Sequence, residues 1–356
     1  MAPAPQPSLL DKVALLPVAG NAILALLYNL ITRPIVSESR PVDAFRDAMF
    51  SAMRSFISSI DTPIEQWSAS TTDAEYLAVA KKQGFAPDTE LLASGVKVHR
   101  LGVKNPQYTI LYLHGGGFNL PAMNGHFEWL LDVINDLSPQ ASVGVVFLSY
   151  TLSPKGQYPL QLQQATEALQ WLITKQNISP SKIIIGGDSA GGNLSMAVLS
   201  HVLHPHPEVP KLELKEPLAG ALLICPWVHF EPSDNGVDRN QHSDLVTPVA
   251  AKRWSANYMG KSKLDNYTQA ADADEKWFTG LDKVVRDVLV YGGGGEVLID
   301  SIKLFGAKLK RAHSKAELVV LPKAAHIDMI IDKSFGYKGK AEGTQLIESW
   351  MTKVIS

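Results

Sequence analysis

The sequence predicts an α/β protein with a mainly parallel sheet flanked by helices on both faces. Three observations lead there. From about residue 96 onward, strand and helix signals alternate, the rhythm of βαβ units. Ser142 to Tyr150 (SVGVVFLSY) is a continuous, valine-rich apolar run, as expected of a strand buried on both faces. The alternation breaks once, between Trp227 and about Leu281, in a stretch rich in Asp, Asn, Pro, Trp and Tyr that has no strand-like run. It is too long for a simple loop and reads as an insertion over the C-terminal edge of the sheet, where α/β folds bind ligands.

Taken in order, the chain opens with a helical region to about Ser70. Val13 to Ile31 is an apolar stretch of transmembrane length, interrupted by Pro17, Gly20, Asn21 and Asn29. A helix packed on its own protein, an interfacial helix making peripheral membrane contact through residues 13–31, and a true span all remain open. No cationic region precedes the stretch and no A-x-A-like site follows it. A cleaved signal peptide is therefore not expected, and the expected location is intracellular. Strands are expected over Val96 to Leu101, Thr109 to Leu113, Ser142 to Tyr150, Ile183 to Ile185, Ala219 to Cys225, Val288 to Tyr291 and Glu317 to Leu321. Helices are expected over Phe127 to Leu137, Leu160 to Thr174, Leu194 to Leu203 and about Ala341 to Ile355.

Composition narrows the function. At 356 residues the chain is two domains or one large α/β domain with an insertion. A net charge of −2 leaves no basic surplus for a phosphate backbone, so nucleic acid is not an expected partner. The single cysteine, Cys225, excludes an intrachain disulfide framework and a cysteine-rich zinc module, and reads as a small buried hydrophobe in a strand.

Two motifs carry chemistry. Gly187-Asp188-Ser189-Ala190-Gly191 is G-x-S-x-G directly after a predicted strand and directly before a predicted helix. A nucleophile elbow needs its serine on a strained turn, and glycines on either side remove Cβ atoms that would clash there. The following helix N-terminus favours a developing oxyanion. His114-Gly115-Gly116-Gly117-Phe118 follows an earlier strand. Its glycines let backbone N–H groups turn toward a carbonyl oxygen, and the Ala190 N–H completes the donor set. His114 is expected to orient this loop by hydrogen bonding.

With HGGGF at 114–118 and GDSAGG at 187–192, the chain resembles the hormone-sensitive-lipase-like family of α/β-hydrolases, which includes fungal and bacterial carboxylesterases. The resemblance covers roughly Val96 to the C-terminus and implies the chain order Ser, acid, His. The family's histidine follows a late strand, a place held here by His326 in Lys323-Ala-Ala-His-Ile-Asp328. Its acid opens a segment matched by Gly295-Glu296-Val297-Leu298-Ile299-Asp300, which puts Glu296 where an aspartate is commoner, with Asp300 and then Asp328 as competitors. His313, in a Lys/Arg-rich helix end, reads as a solvated surface residue. His201, His204 and His206 lie at a helix exit among prolines with no carboxylate pattern beside them, so no metal is expected. His229 and His242 fall in the insertion.

The resulting expectation is an α/β-hydrolase catalytic domain over 76–228 and 282–356, with a cap from residues 1–75 and an insertion at 229–281. Ser189, Glu296 and His326 would be catalytic, and Gly115, Gly116 and Ala190 would form the oxyanion hole. No cofactor is implied. The apolar N-terminus and the aromatics Trp227, Phe230, Trp254, Tyr258 and Trp277 point to a hydrophobic ester or lactone as substrate. An acyltransferase or lactone-forming cyclase using the same residues is the alternative.

Overall fold

Apolar strands long enough to be covered on both sides dictate the centre of the molecule. The computed structural model describes residues 7–35, 40, 41 and 43–356. Among these, β1 (Thr89–Leu91), β2 (Lys97–Gly102), β3 (Tyr108–Leu113), β4 (Val143–Ser149), β5 (Ile183–Asp188), β6 (Leu218–Ile224), β7 (Val285–Gly293) and β8 (Ala316–Leu321) form one sheet. Its spatial order is β1-β2-β4-β3-β5-β6-β7-β8. Every residue of β3, β5 and β6 is buried. From β4 through β8 all pairings are parallel, as the alternation requires.

The other edge departs from expectation. β2 runs antiparallel to β4, and β1, which the sequence reading missed, pairs antiparallel with β2. A three-residue strand reading Thr-Glu-Leu has no periodicity to detect. Short, polar, exposed edge strands of this kind also protect a sheet from further pairing.

The crossover helices are α5 (Asn124–Leu137), α6 (Leu160–Thr174), α7 (Ala190–Leu203) and α10 (Ile299–Ala312), and α11 (Asp328–Ser334) and α12 (Glu342–Ile355) follow β8. α6 has the bounds that its periodicity predicts. Helix α7 is buried from Ala190 through His201, so the helix after Ser189 is a core element. The stretch between β6 and β7 contains α8 (Asp234–Asn240) and α9 (Pro248–Met259), two short 3-10 turns and no strand.

Four helices precede the sheet: α1 (Leu9–Thr32), α2 (Ala44–Ser59), α3 (Thr62–Ser68) and α4 (Thr72–Gln83). α1 continues through Pro17 and Gly20 and starts on a capping box between Ser8 and Asp11. It lies along α2 by a narrow stripe. Asn29, polar in an apolar run, is buried there and donates to the Asp47 carboxylate at 2.9 Å, while Arg33 pairs with the same carboxylate at 2.6 Å. The rest of the helix is bare. Leu10, Leu16 and Ile31 are each more than 70% exposed, and α1 is long and apolar enough to cross a membrane. The packed-helix reading therefore holds for one end and one stripe only.

Candidate active site

Ser189 stands between β5 and α7 with φ 52° and ψ −118°, a conformation that costs a non-glycine residue about 1–3 kcal/mol. Tertiary bonds hold it there. Its N–H donates to the Ile224 carbonyl at 2.8 Å, and its carbonyl accepts from Trp227 N–H at 2.9 Å. A Cβ at Gly187 or Gly191 would collide with the Leu113 carbonyl oxygen, so the flanking glycines let β3 pass this close. Gly191→Ala is accordingly expected to prevent soluble folding, measured as loss of a cooperative thermal transition.

The residue before the serine organises the glycine loop. Asp188 is fully buried; its Oδ1 accepts from the Tyr112 hydroxyl at 2.9 Å and from Gly115 N–H at 3.0 Å. Burial alone would raise its pKa, but the adjacent His126 and the Tyr112 hydroxyl hold it below the ordinary value. This corrects one expectation. The Gly115 N–H is consumed by Asp188 and is not available as an oxyanion donor. Gly116 and Gly117, at φ 97° and 59°, make no backbone donation within the loop, and Ala190 opens a helix whose first N–H groups have no intrahelical acceptor. Gly117, passed over in the sequence reading, therefore joins Gly116 and Ala190 as a candidate donor. A Cβ there would strike the Trp254 indole, which lies across the loop from α9.

His114 behaves as expected. Its Nδ1 bonds to the Gly115 carbonyl at 2.7 Å, and its ring stacks on Tyr150 with centroids 4.2 Å apart. Burial pushes its pKa down to about 3, so it stays neutral and supports the loop.

Glu296 and His326 come together from the loops after β7 and β8. His326 Nδ1 and Glu296 Oε2 are 2.7 Å apart, and Glu296 Oε1 accepts from Gly293 N–H at 2.6 Å. Both side chains are buried, and the opposite imidazole nitrogen, Nε2, has no hydrogen-bond partner among the described residues. Burial disfavours the imidazolium, but the bond to Glu296, that carboxylate's charge and the charges of Asp244 and Asp188 outweigh it, so the His326 pKa is raised. Asp300 lies elsewhere. It is bonded to the Ser233 hydroxyl and to Arg239, each at 2.6 Å. Asp328 is paired with Arg46 of α2 at 3.6 Å.

Cys225 is not simply a strand hydrophobe. It lies one residue past β6 at φ 44°, and its Sγ comes within 4.8 Å of a carboxylate oxygen of Glu296 and a ring nitrogen of His326. Burial, and then the neighbouring Glu296 charge, push the thiol pKa far up. His201 and His204 are occupied by backbone carbonyls of Pro210 and Trp277, and His206 accepts from Glu208 N–H. His229 faces Asp272 at 3.1 Å.

His313 corrects the sequence reading. It is 2% exposed, its Nε2 donates to the Val285 carbonyl at 2.9 Å, and its Nδ1 accepts from Lys315 N–H. The Lys/Arg-rich helix end belongs to the opposite face. His313→Ala is expected to lower stability by about 1–3 kcal/mol through the orphaned carbonyl, with kcat/KM near wild type. Urea unfolding and steady-state kinetics on one preparation check both halves.

A strained serine at the C-terminal edge of a parallel sheet, with a histidine–carboxylate pair two and three strands along, is the architecture of the α/β-hydrolase class. The chain belongs to that family, in its hormone-sensitive-lipase-like branch, and residues 110–329 match the α/β-hydrolase fold. Among relatives, it is 29% identical over 221 residues to the carboxylesterase/phospholipase LipF of Mycobacterium tuberculosis, covering 61% of this chain and 55% of the relative. An esterase of Acinetobacter venetianus is 30% identical over 207 residues, covering 58% of this chain and 62% of the relative. The match thus spans little more than half the length of these proteins. Solved structures share the fold. A thermostable esterase from Pseudomonas putida superposes with TM-score 0.64 at 19% identity, over 90% of this chain and 97% of the other. Carboxyl esterase 2 of Tuber melanosporum gives 0.63 at 21% identity, over 76% and 88%.

Proposed function

We propose that this chain is a serine carboxylic-ester hydrolase acting on a hydrophobic small-molecule ester or lactone. One observation carries the reading: His326 is bonded through Nδ1 to a buried carboxylate while its Nε2 is left unpartnered, in a fold whose neighbouring elbow presents Ser189. In this mechanism Nε2 takes the Ser189 proton as Oγ attacks the ester carbonyl. The N–H groups of Gly116, Gly117 and Ala190 receive the oxyanion, and Glu296 stabilises the imidazolium. Collapse expels the alcohol with the proton from His326. Water, activated by the same imidazole, then cleaves the acyl-serine to acid and free enzyme.

Residues 1–75, of which 1–6, 36–39 and 42 lie outside the described residues, and 229–281 serve as the cap in this reading. Trp254 over Gly117, Phe118 stacked on Tyr258 at 3.7 Å, and Trp227, whose N–H donates to the Ser189 carbonyl, beside Phe230 at 4.6 Å put an aromatic, apolar surround on the loops next to the serine. That surround supports a hydrophobic acyl or alcohol group, and the relatives named as esterases support ester hydrolysis. A second reading draws on burial. Ser189 is only 7% exposed, and a site that excludes water lets a substrate hydroxyl take the acyl group, making the enzyme an acyltransferase or a lactone-forming cyclase. A p-nitrophenyl ester series from acetate to palmitate, run beside lactones and with added alcohols, tests both. Free acid as sole product supports hydrolysis, ester or lactone product the second reading, and no turnover with no fluorophosphonate labelling of Ser189 defeats the proposal.

The bare face of α1 is proposed to contact a lipid surface. Full-length protein is expected to sediment with phosphatidylcholine liposomes, and a variant lacking residues 1–31 to stay in the supernatant with its kcat on a soluble ester retained. Sedimentation of neither form would favour a cap role alone.

A further inference from the structure

The insertion holds one group that the hydrolytic mechanism does not use and that reaches both catalytic loops. Asp244, in the turn after α8, is fully buried. Its Oδ1 accepts from His326 N–H at 3.2 Å and from Leu245 N–H at 2.7 Å, and its Oδ2 accepts from Val297 N–H at 2.7 Å. One carboxylate therefore joins the backbone of the histidine to the residue next to the glutamate. Its neighbours reinforce the link. Asn240 Nδ2 donates to the Glu296 carbonyl at 2.8 Å and to the Gly294 carbonyl at 3.1 Å, and Ser243 Oγ donates to the Gly295 carbonyl at 2.7 Å. Behind the turn, Arg54 of α2 donates to the Asp244 carbonyl at 2.5 Å.

We propose that this buried turn, Asn240 to Asp244, is a clamp that sets the separation of the Glu296 and His326 loops, with Asp244 as a positioning residue whose charge also acts on the imidazole. The inference rests on the proposed roles of Ser189, Glu296 and His326. A carboxylate suits the task because N–H donors arrive from two different loops and each oxygen takes one side. An asparagine offers a single acceptor and would turn an NH2 group against the other N–H. The charged groups facing Asp244 are His326 and Glu296 on the two loops and Arg54 on α2. Burial pushes its pKa up to about 6, so it carries charge in the range where such a histidine works as a base. A buried carboxylate without a direct ion pair is costly to keep, and here it adds negative charge near an imidazolium that must form and discharge in each turnover. The insertion thereby does more than cover the substrate.

The test uses the full chain with p-nitrophenyl butyrate, measuring kcat, KM and the pH profile of kcat/KM for wild type, Asp244→Asn, Asp244→Glu and Ser243→Ala, with fluorophosphonate labelling and thermal unfolding of each. Asp244→Asn is expected to lower kcat about 10- to 100-fold through misplacement of the pair, with little change in KM. Its acid limb should move to lower pH, because the imidazolium loses a stabilising negative charge. Asp244→Glu keeps the charge and should return the limb toward wild type. Ser243→Ala should lower kcat a few-fold. A folded Asp244→Asn with wild-type kcat and an unmoved limb overturns the proposal. So does an unfolded Asp244→Asn accompanied by a fully active Ser243→Ala. If the wild-type chain itself neither turns over ester nor labels at Ser189, the hydrolase reading fails and takes this inference with it; labelling at Ser189 with an indifferent Asp244 removes the inference alone.

Discussion

Ser189→Ala is expected to lower kcat on an activated short-chain ester by ~10⁴–10⁶-fold, with no loss of stability. The substitution removes one oxygen and leaves the features that strain the turn. The Ser189 N–H bond to Ile224, the carbonyl bond from Trp227 and the two flanking glycines all involve backbone or other residues. The alanine variant should therefore unfold at or slightly above the wild-type temperature while failing to label with a fluorophosphonate. Activity above a tenth of wild type would remove Ser189 as the nucleophile.

The second large effect concerns the acid. Glu296→Gln should lower kcat by about 10³–10⁴-fold. Both carboxylate oxygens accept hydrogen bonds, one from Gly293 N–H and one shared with His326 Nδ1, so the amide must turn its NH2 group against one of them. The sign of the pH effect follows from the same contacts. Glu296 is the main counterweight to burial in raising the His326 pKa, and in the proposed mechanism the base is the neutral imidazole. Wild-type kcat/KM should fall as pH drops through that raised pKa, and in Glu296→Gln the acid limb should lie at lower pH. Glu296→Asp keeps the charge but withdraws it by a methylene, a displacement of ~1 Å that costs about 10²-fold. Asp300→Asn should remain near wild type, because Asp300 is held by Ser233 and Arg239 at the surface. The order of activity is therefore wild type, Asp300→Asn, Glu296→Asp, Glu296→Gln. A more damaging Asp300→Asn would transfer the acid role.

Local patterns made much of this legible. The run from Ser142 to Tyr150 reads as a buried strand because it is short, apolar and valine-rich, and the G-x-S-x-G glycines mark the elbow because a Cβ at either would collide with the Leu113 carbonyl oxygen. The errors have a common origin. His313 lies among Lys310, Arg311 and Lys315, and charge in sequence suggested solvent, yet the α10 C-terminus turns His313 inward onto the Val285 carbonyl. Gly115 belongs to the same glycine run as Gly116 and Gly117, and only the approach of Asp188 from the adjacent strand takes its N–H away.

The sequence by itself determined the class of the sheet and the place of the serine, and these depend on residue periodicity and on backbone conformations that few residues permit, both written locally. The loops from which an acid and a histidine would come were implied by the resemblance to the hormone-sensitive-lipase-like family. Which donors remain for an oxyanion, which carboxylate meets His326, and how Asp244 joins two loops from within the insertion were decided by tertiary structure. Hydrogen bonds between residues 30 to 82 positions apart leave no spacing to read, because their geometry exists only once the sheet has set its neighbouring strands side by side.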